Sequence, residues 1–255
     1  SSLLSRFRSL RLSLSLSLLA HAAFQEWCKR TNFEVGVRVP LMIRSPAHAA
    51  ASYGKSTPHF FESVDFYRTI ASLAFNSMAP VVIEKGVEGT DLSSIFADVE
   101  GVTNAPLKST AFSQMARCPA GGVTIESACN SVKRVDIEYM GYSVRVKEWR
   151  YTAWIKFNGT LNRGIWPSTL NTLSDSAGDS AGVGENDDAV FIADELYSHE
   201  GDFGMGVDAM DKWENENVAG FAANAATRAS LLAMLKAEFE TPPTEGGAST
   251  YSMNT

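Results

Sequence analysis

The stretch "YMGYSVRVKEWRYTAWIKF" occupies residues 139–157. Tyr142, Val144 and Val146 recur at every second position before Lys147-Glu148, and Tyr151, Ala153, Ile155 and Phe157 do so after it. Period-two alternation on both sides of a short polar break predicts an antiparallel hairpin with one apolar face. The aromatic residues on these arms, Trp149 and Trp154 among them, read as hairpin core.

Downstream, residues 158–189 are rich in Gly, Ser, Asn and Asp and read as a long surface loop. "AVFIADELY" (189–197) returns to extended structure. "AATRASLLAMLKAEF" (225–239) predicts a helix burying Leu231, Leu232, Leu235 and Phe239. The polar tail 241–255 reads as disordered. The acidic run "DELYSHEGDFGMGVDAMD" (194–211) lacks the EF-hand spacing and reads as a solvated loop.

Upstream, "STAFSQM" (109–115) is a strand candidate, and Thr90-Asp91 starts a short helix through Phe96. Residues Ser63 to Phe75 predict a helix with Phe66, Ile70, Leu73 and Ala74 on its buried face. In "EWCKRTNFEVGVRVPLMIRSP" (26–46), Thr31 to Glu34 fits a capping box, so a short helix should end before Pro40. "PLMIR" (40–44) then reads as a strand buried on both faces. Residues 1–23 combine Arg6, Arg8 and Arg11 with a Leu/Ser run and Ala20-His21-Ala22. They read as a low-complexity leader, disordered or signal-like.

The chain has 255 residues, 45% hydrophobic, with a net charge of −7. Its basic residues are scattered, which argues against a nucleic-acid partner. No apolar run is long enough for a transmembrane segment. Cys118 and Cys129 make a candidate disulfide if the compartment is oxidising, with two reduced thiols as the alternative. Asn158 opens the sequence Asn-Gly-Thr, a candidate glycosylation site.

Four blocks, "WCKRTNFEVGVRVPLMI", "FFESVDFYRTIASLAF", "DIEYMGYSVRVKEWRYTAWIKF" and "ADELYSHEGD" with "ENENVA" behind it, resemble in order the C-terminal portion of iduronate-2-sulfatase-like sulfatases. The resemblance implies an α/β, alkaline-phosphatase-like fold. Residues 24–100 would end the large mixed-sheet catalytic domain. Residues 101–240 would form a smaller C-terminal antiparallel sheet with a packed helix. It implies hydrolysis of sulfuric esters on sulfated sugars or polysaccharides, calcium in the full-length family member, and a secreted, lysosomal or other endomembrane lumen. The family's lysine in the W-x-K segment contacts sulfate, and Lys29 falls on it. A cation just before a helix start also fits an anion seat on local physics.

The departures are equally specific. The family's nucleophile motif, C-x-P-S-R or a serine variant, is absent: Cys118 precedes Pro119-Ala120-Gly121, and Ser56-Thr57-Pro58 ends in His59-Phe60. Nothing matches the family's N-terminal calcium-binding Asp pair. The chain therefore reads as a truncated sulfatase, without catalytic residues or metal ligands and inactive alone. The alternatives are a non-catalytic module binding sulfated glycan or another anion, and a phosphoryl-transfer member of the superfamily.

Overall fold

A computed structural model of the chain describes residues 31–75, 86–100, 107–117, 132–166, 191–203 and 212–240. Lys29, Cys118 and Cys129 lie outside the described residues, as do the 1–23 leader, the tail from 241 and most of the 158–189 loop. The helices are α1 (Glu34–Val37), α2 (Ala49–Ser52), α3 (Asp65–Phe75) and α4 (Ala225–Phe239). The strands are β1 (Ala111–Arg117), β2 (Tyr139–Arg145), β3 (Trp149–Asn158), β4 (Arg163–Gly164) and β5 (Phe191–Ser198).

The hairpin forms as the alternation requires. Val146 N–H donates to Trp149 O at 2.8 Å, closing the ladder around Lys147-Glu148. The strands are antiparallel throughout: β1 pairs β2, β2 pairs β3, and β3 takes β5 along its other edge and β4 at its end. A register shift at Trp154/Ile155 marks a bulge against β5. Gly141 faces Trp154 across the ladder, and a Cβ there would stand 2.6 Å from the indole ring. Only glycine admits that close approach.

One face of the sheet carries Met140, Tyr142, Val144, Tyr151, Ala153, Ile155 and Leu196 against Leu231, Leu232 and Leu235 of α4. Phe239 closes this core, its ring 4.5 Å from Tyr142. The buried face of α4 is thus the one its apolar spacing indicates. Asn217 splices the approach to α4 onto β5: its Oδ1 accepts from Leu196 N at 3.0 Å and its Nδ2 donates to Asp194 O at 3.0 Å.

The opposite face is where the sequence reading falls short. Ser143, Arg145, Arg150 and Thr152 alternate with the core positions, yet all are buried. Thr31, Asn32 and Glu34 are buried too, and residues 31–38 bond onto this face, with His199, Asp202 and Glu214 in the same network. The acidic run is correspondingly not a solvated loop at Asp194, His199 and Asp202, while Glu200 is exposed. Asp194 is held by Arg228 and the Tyr151 hydroxyl, and Asp202 by arginines.

Three further expectations are corrected. Residues 40–44 form no strand: Leu41 is 42% and Met42 93% exposed, and none of this stretch bonds to a described strand. Apolar content alone makes no strand when the backbone has no ladder to join. Helix α3 buries Asp65 and Thr69 and leaves Ile70 53% exposed. Polar bonding decides that orientation: Asp65 Oδ1 accepts from Thr90 N and Oδ2 from Glu62 N, both at 2.7 Å, and Thr69 Oγ1 accepts from Leu92 N at 3.0 Å. Leu92 then packs with Ile95 and Val99 beneath Phe61. Finally, Thr31 and Glu34 make no capping box. Phe33 is the N-cap, with no side-chain bond to the helix start, because the Glu34 carboxylate is drawn into the arginines.

Candidate functional site

Arg145 and Arg150 occupy directly paired positions of β2 and β3, on the face away from α4. Like charges opposed across a ladder need counter-charges. Glu34 supplies the first: its Oε1 accepts from Arg145 Nε and from Arg150 Nη2, each at 2.7 Å. Glu214 accepts from Arg150 Nε through Oε1 and from the Glu34 backbone N–H through Oε2, the latter at 2.7 Å. Asp202 accepts from Arg145 Nη2 at 3.1 Å and pairs with Arg38 at 3.3 Å. His199 completes the cluster, with Nδ1 3.1 Å from Asp202 and Nε2 3.0 Å from Glu214. Its ring stacks on Trp213 at 6.0 Å.

Three guanidinium groups thus face three carboxylates on the polar face of the sheet, Arg38 at its partly exposed edge. Burial alone would raise the Glu34 carboxyl, but the charges of Arg150 and Arg145 outweigh it and hold Glu34 below the usual carboxylate range. Arg150 is pushed down by burial and up more strongly by Glu214 and Glu34, ending above the ordinary arginine value. The pairs are satisfied on both sides, the condition under which buried charge is tolerated.

Segment 31–34 is fixed by a second anchor. Asn32 Nδ2 donates to Gly141 O at 3.0 Å, and Ser113 Oγ donates to Asn32 Oδ1 at 3.1 Å. Thr31 Oγ1 accepts from Phe33 N at 3.2 Å. The residues that follow Lys29 are therefore tied to β1, β2 and β3 and to the 212–217 segment.

This geometry removes one ground for Lys29. Helix α1 has four residues, and its Glu34 N–H is consumed by Glu214. A helix this short, with its Glu34 N–H already taken, offers no anion seat. The assignment of Lys29 to sulfate rests on family likeness.

Glu34, His199 and Glu214 offer ligand atoms within 4.8 Å of one another. They do not fit calcium. Glu34 Oε1 and Glu214 Oε1 already accept from guanidinium groups, and a divalent ion would enter beside Arg145 and Arg150. Calcium also takes six to eight oxygen ligands, which this trio does not approach.

Asn158 ends β3 half-buried, and its Oδ1 accepts from Leu161 N at 2.9 Å. Two open grooves lie elsewhere on the sheet: one is lined by residues such as Ile137 and Phe157, and one, with Trp149 and Met234, borders the turn at 146–148 whose carbonyls accept from Arg145 and His199. The cluster itself escaped the sequence reading. The available signal was the pair of arginines at matched positions beside the turn, whose counter-charges lie far away in sequence.

No protein-family model matches the chain. Among curated proteins it is similar to iduronate 2-sulfatase of Mus musculus, 30% identical over 166 residues, covering 52% of this chain and 30% of the relative. The Homo sapiens iduronate 2-sulfatase is 29% identical over 166 residues, with the same coverage. The chain thus spans about a third of the length of the curated relatives it matches. A solved structure, the phosphonate monoester hydrolase SpPMH from Silicibacter pomeroyi, aligns with a TM-score of 0.48 at 18% identity, covering 84% of this chain and 31% of that one.

Proposed function

We propose that the chain is a sulfatase-like polypeptide that recognises a sulfate ester on a sugar through Lys29. The observation that carries this is the 30% identity to iduronate 2-sulfatase across half the chain. An ammonium also suits a tetrahedral oxyanion in general chemical terms.

In this reading the chain is the C-terminal portion of such an enzyme, binds sulfated carbohydrate and does not hydrolyse it alone. A sulfatase nucleophile needs C-x-P-x-R or its serine variant, which these 255 residues lack. Calcium would be held by residues outside them. Water attack on a sulfate ester without either has little to lower its barrier. The compartment inferred is secretory or lysosomal, with Asn158 carrying the glycan and Cys118 paired to Cys129. No helix among the described residues is long and apolar enough to cross a membrane.

The test is calorimetric titration with a sulfated disaccharide and its desulfated twin. Binding of the sulfated form alone, weakened by Lys29→Ala, is expected. Equal affinity for the two sugars removes the reading. Turnover of an aryl sulfate by the purified chain would overturn its non-catalytic part.

A further inference from the structure

His199 is 1% exposed, yet each of its ring nitrogens faces a carboxylate oxygen, Nδ1 that of Asp202 at 3.1 Å and Nε2 that of Glu214 at 3.0 Å. Glu34 adds a third carboxylate, with an oxygen within 4.8 Å of a ring nitrogen and of a Glu214 oxygen. A neutral imidazole donates from one nitrogen and accepts at the other. Its accepting nitrogen would here turn a lone pair on an anionic oxygen.

The carboxylates have no proton to offer in return. Glu214 Oε1 also receives Arg150 Nε, and its Oε2 receives the Glu34 N–H. Arg38 Nη1 stands 3.4 and 3.3 Å from the two Asp202 oxygens, and Arg145 Nη2 adds a donor at 3.1 Å. A proton on either acid would be set against one of these donors. The geometry is satisfied when both acids are ionised and the ring donates from both nitrogens.

We propose that His199, protonated on both nitrogens, is a proton-dependent latch for residues 31–38: its second proton keeps Asp202 and Glu214 in place, and loss of that proton frees the segment from the sheet. The connection runs through the two acceptors. Glu214 also holds the N–H of Glu34 at the start of α1, and Asp202 also holds Arg38, the C-cap of α1. Each carboxylate on the ring thus grips one end of the same short helix. The second proton also brings the positive charge that a metal would otherwise bring to Glu34, His199 and Glu214.

The charged surroundings come from every element packed there. Arg145 and Arg150 lie on β2 and β3, and Glu34 and Arg38 belong to the latched segment. Lys212 sits over the Trp213 ring that stacks on His199. Glu195 and Tyr197 of β5 sense the Glu214 charge. The latch contributes stability while the ring carries both protons, and the contribution is lost as rising pH removes one. Nothing in it depends on Lys29 or on sulfate.

The test uses the full chain labelled with 15N. Imidazole nitrogen spectra at about pH 7.5, above the ordinary histidine midpoint of about 6.5, are expected to show the two-proton pattern for His199. Its signals are assigned by their loss in His199→Gln. If that variant does not fold, His21→Gln, His48→Gln and His59→Gln assign the other three rings and leave His199 by difference. A single-tautomer neutral pattern overturns the proposal.

Hydrogen exchange then reads the latch itself. The protection factor of the Glu34 N–H is expected to fall by about tenfold or more as pH rises and the two-proton pattern disappears, the worth of one bond to a charged group. The Phe157 N–H, bonded to Glu138 O at 2.8 Å at the far end of the hairpin, is expected to keep its protection over the same range. Glu34 protection that stays level or is absent throughout overturns the latch. So does a joint loss at Glu34 and Phe157, which marks a merely structural histidine.

Discussion

Arg145 and Arg150 face each other across the hairpin ladder, and a single oxygen of Glu34 accepts from both. Two like charges are thereby converted into a clamp. Removing the shared acceptor should cost far more than one hydrogen bond. Glu34→Gln is expected to lower stability by about 3–5 kcal/mol, the usual result of breaking a buried ion pair from one side. Urea unfolding of the two proteins at neutral pH measures it.

Acid should expose the same clamp. Burial raises the Glu34 carboxyl but Arg150 and Arg145 lower it further, so its folded value lies below the ordinary 4.5. A depressed carboxylate contributes stability that is full above the unfolded value and fades as pH falls through the folded one. The wild-type protein is therefore expected to lose stability to acid more steeply below pH 4.5 than Glu34→Gln does. A series of Tm values from pH 6 down to about pH 3 decides it, and parallel curves would contradict the sign.

Glu195 should behave in the opposite sense. Burial pushes its carboxyl up, against hydrogen bonds from Trp154 and Tyr197. Its ionised form is then a burden, relieved as pH falls from the folded value toward the unfolded one. Glu195→Gln keeps an acceptor for Trp154 Nε1, now 3.0 Å away. The variant is expected to match or exceed wild-type Tm at pH 8, with the advantage shrinking in mild acid.

Gly141 lies beneath Trp154 with no room for a methyl group. Gly141→Ala is expected to cost about 1–3 kcal/mol by overpacking. Adding Trp154→Leu should recover part of that loss, and thermal melts of the cycle check the coupling.

Asp65 organises a separate region. It is fully buried, and its carboxylate accepts from Thr90 N, Glu62 N and Lys108 Nζ. Asp65→Ala strands those donors and is expected to loosen residues 87–92. New cleavage there under limited proteolysis, absent from wild type, is the readout.

The hairpin, β5 and α4 were legible because each buries one face against the other, and periodicity records one-sided burial. Tyr142 with Tyr151 and Leu232 with Leu235 carry that signal in adjacent positions. The polar face was not legible, because Arg145 and Arg150 look the same in sequence whether water or Glu34 covers them. Residues 40–44 show the converse. Leu41 and Met42 have the composition of a core strand, yet hydrophobicity does not specify which ladder would receive them. The turn of α3 toward Asp65 and Thr69 was hidden for a related reason: its partners are backbone N–H groups, which leave no mark on residue type. Lys29 entered through family likeness and kept that footing once Glu214 was found on the Glu34 N–H.

The bond from Glu34 N–H to Glu214 joins residues 180 apart. During synthesis at about 5–20 residues per second, Glu34 leaves the ribosome roughly 10–40 s before the acceptor that completes its clamp. The Glu34 carboxylate can meet Arg145 and Arg150 once they emerge, but its backbone N–H must wait for Glu214. Slow, late closure and exposure to chaperones in the interim follow from where one glutamate sits.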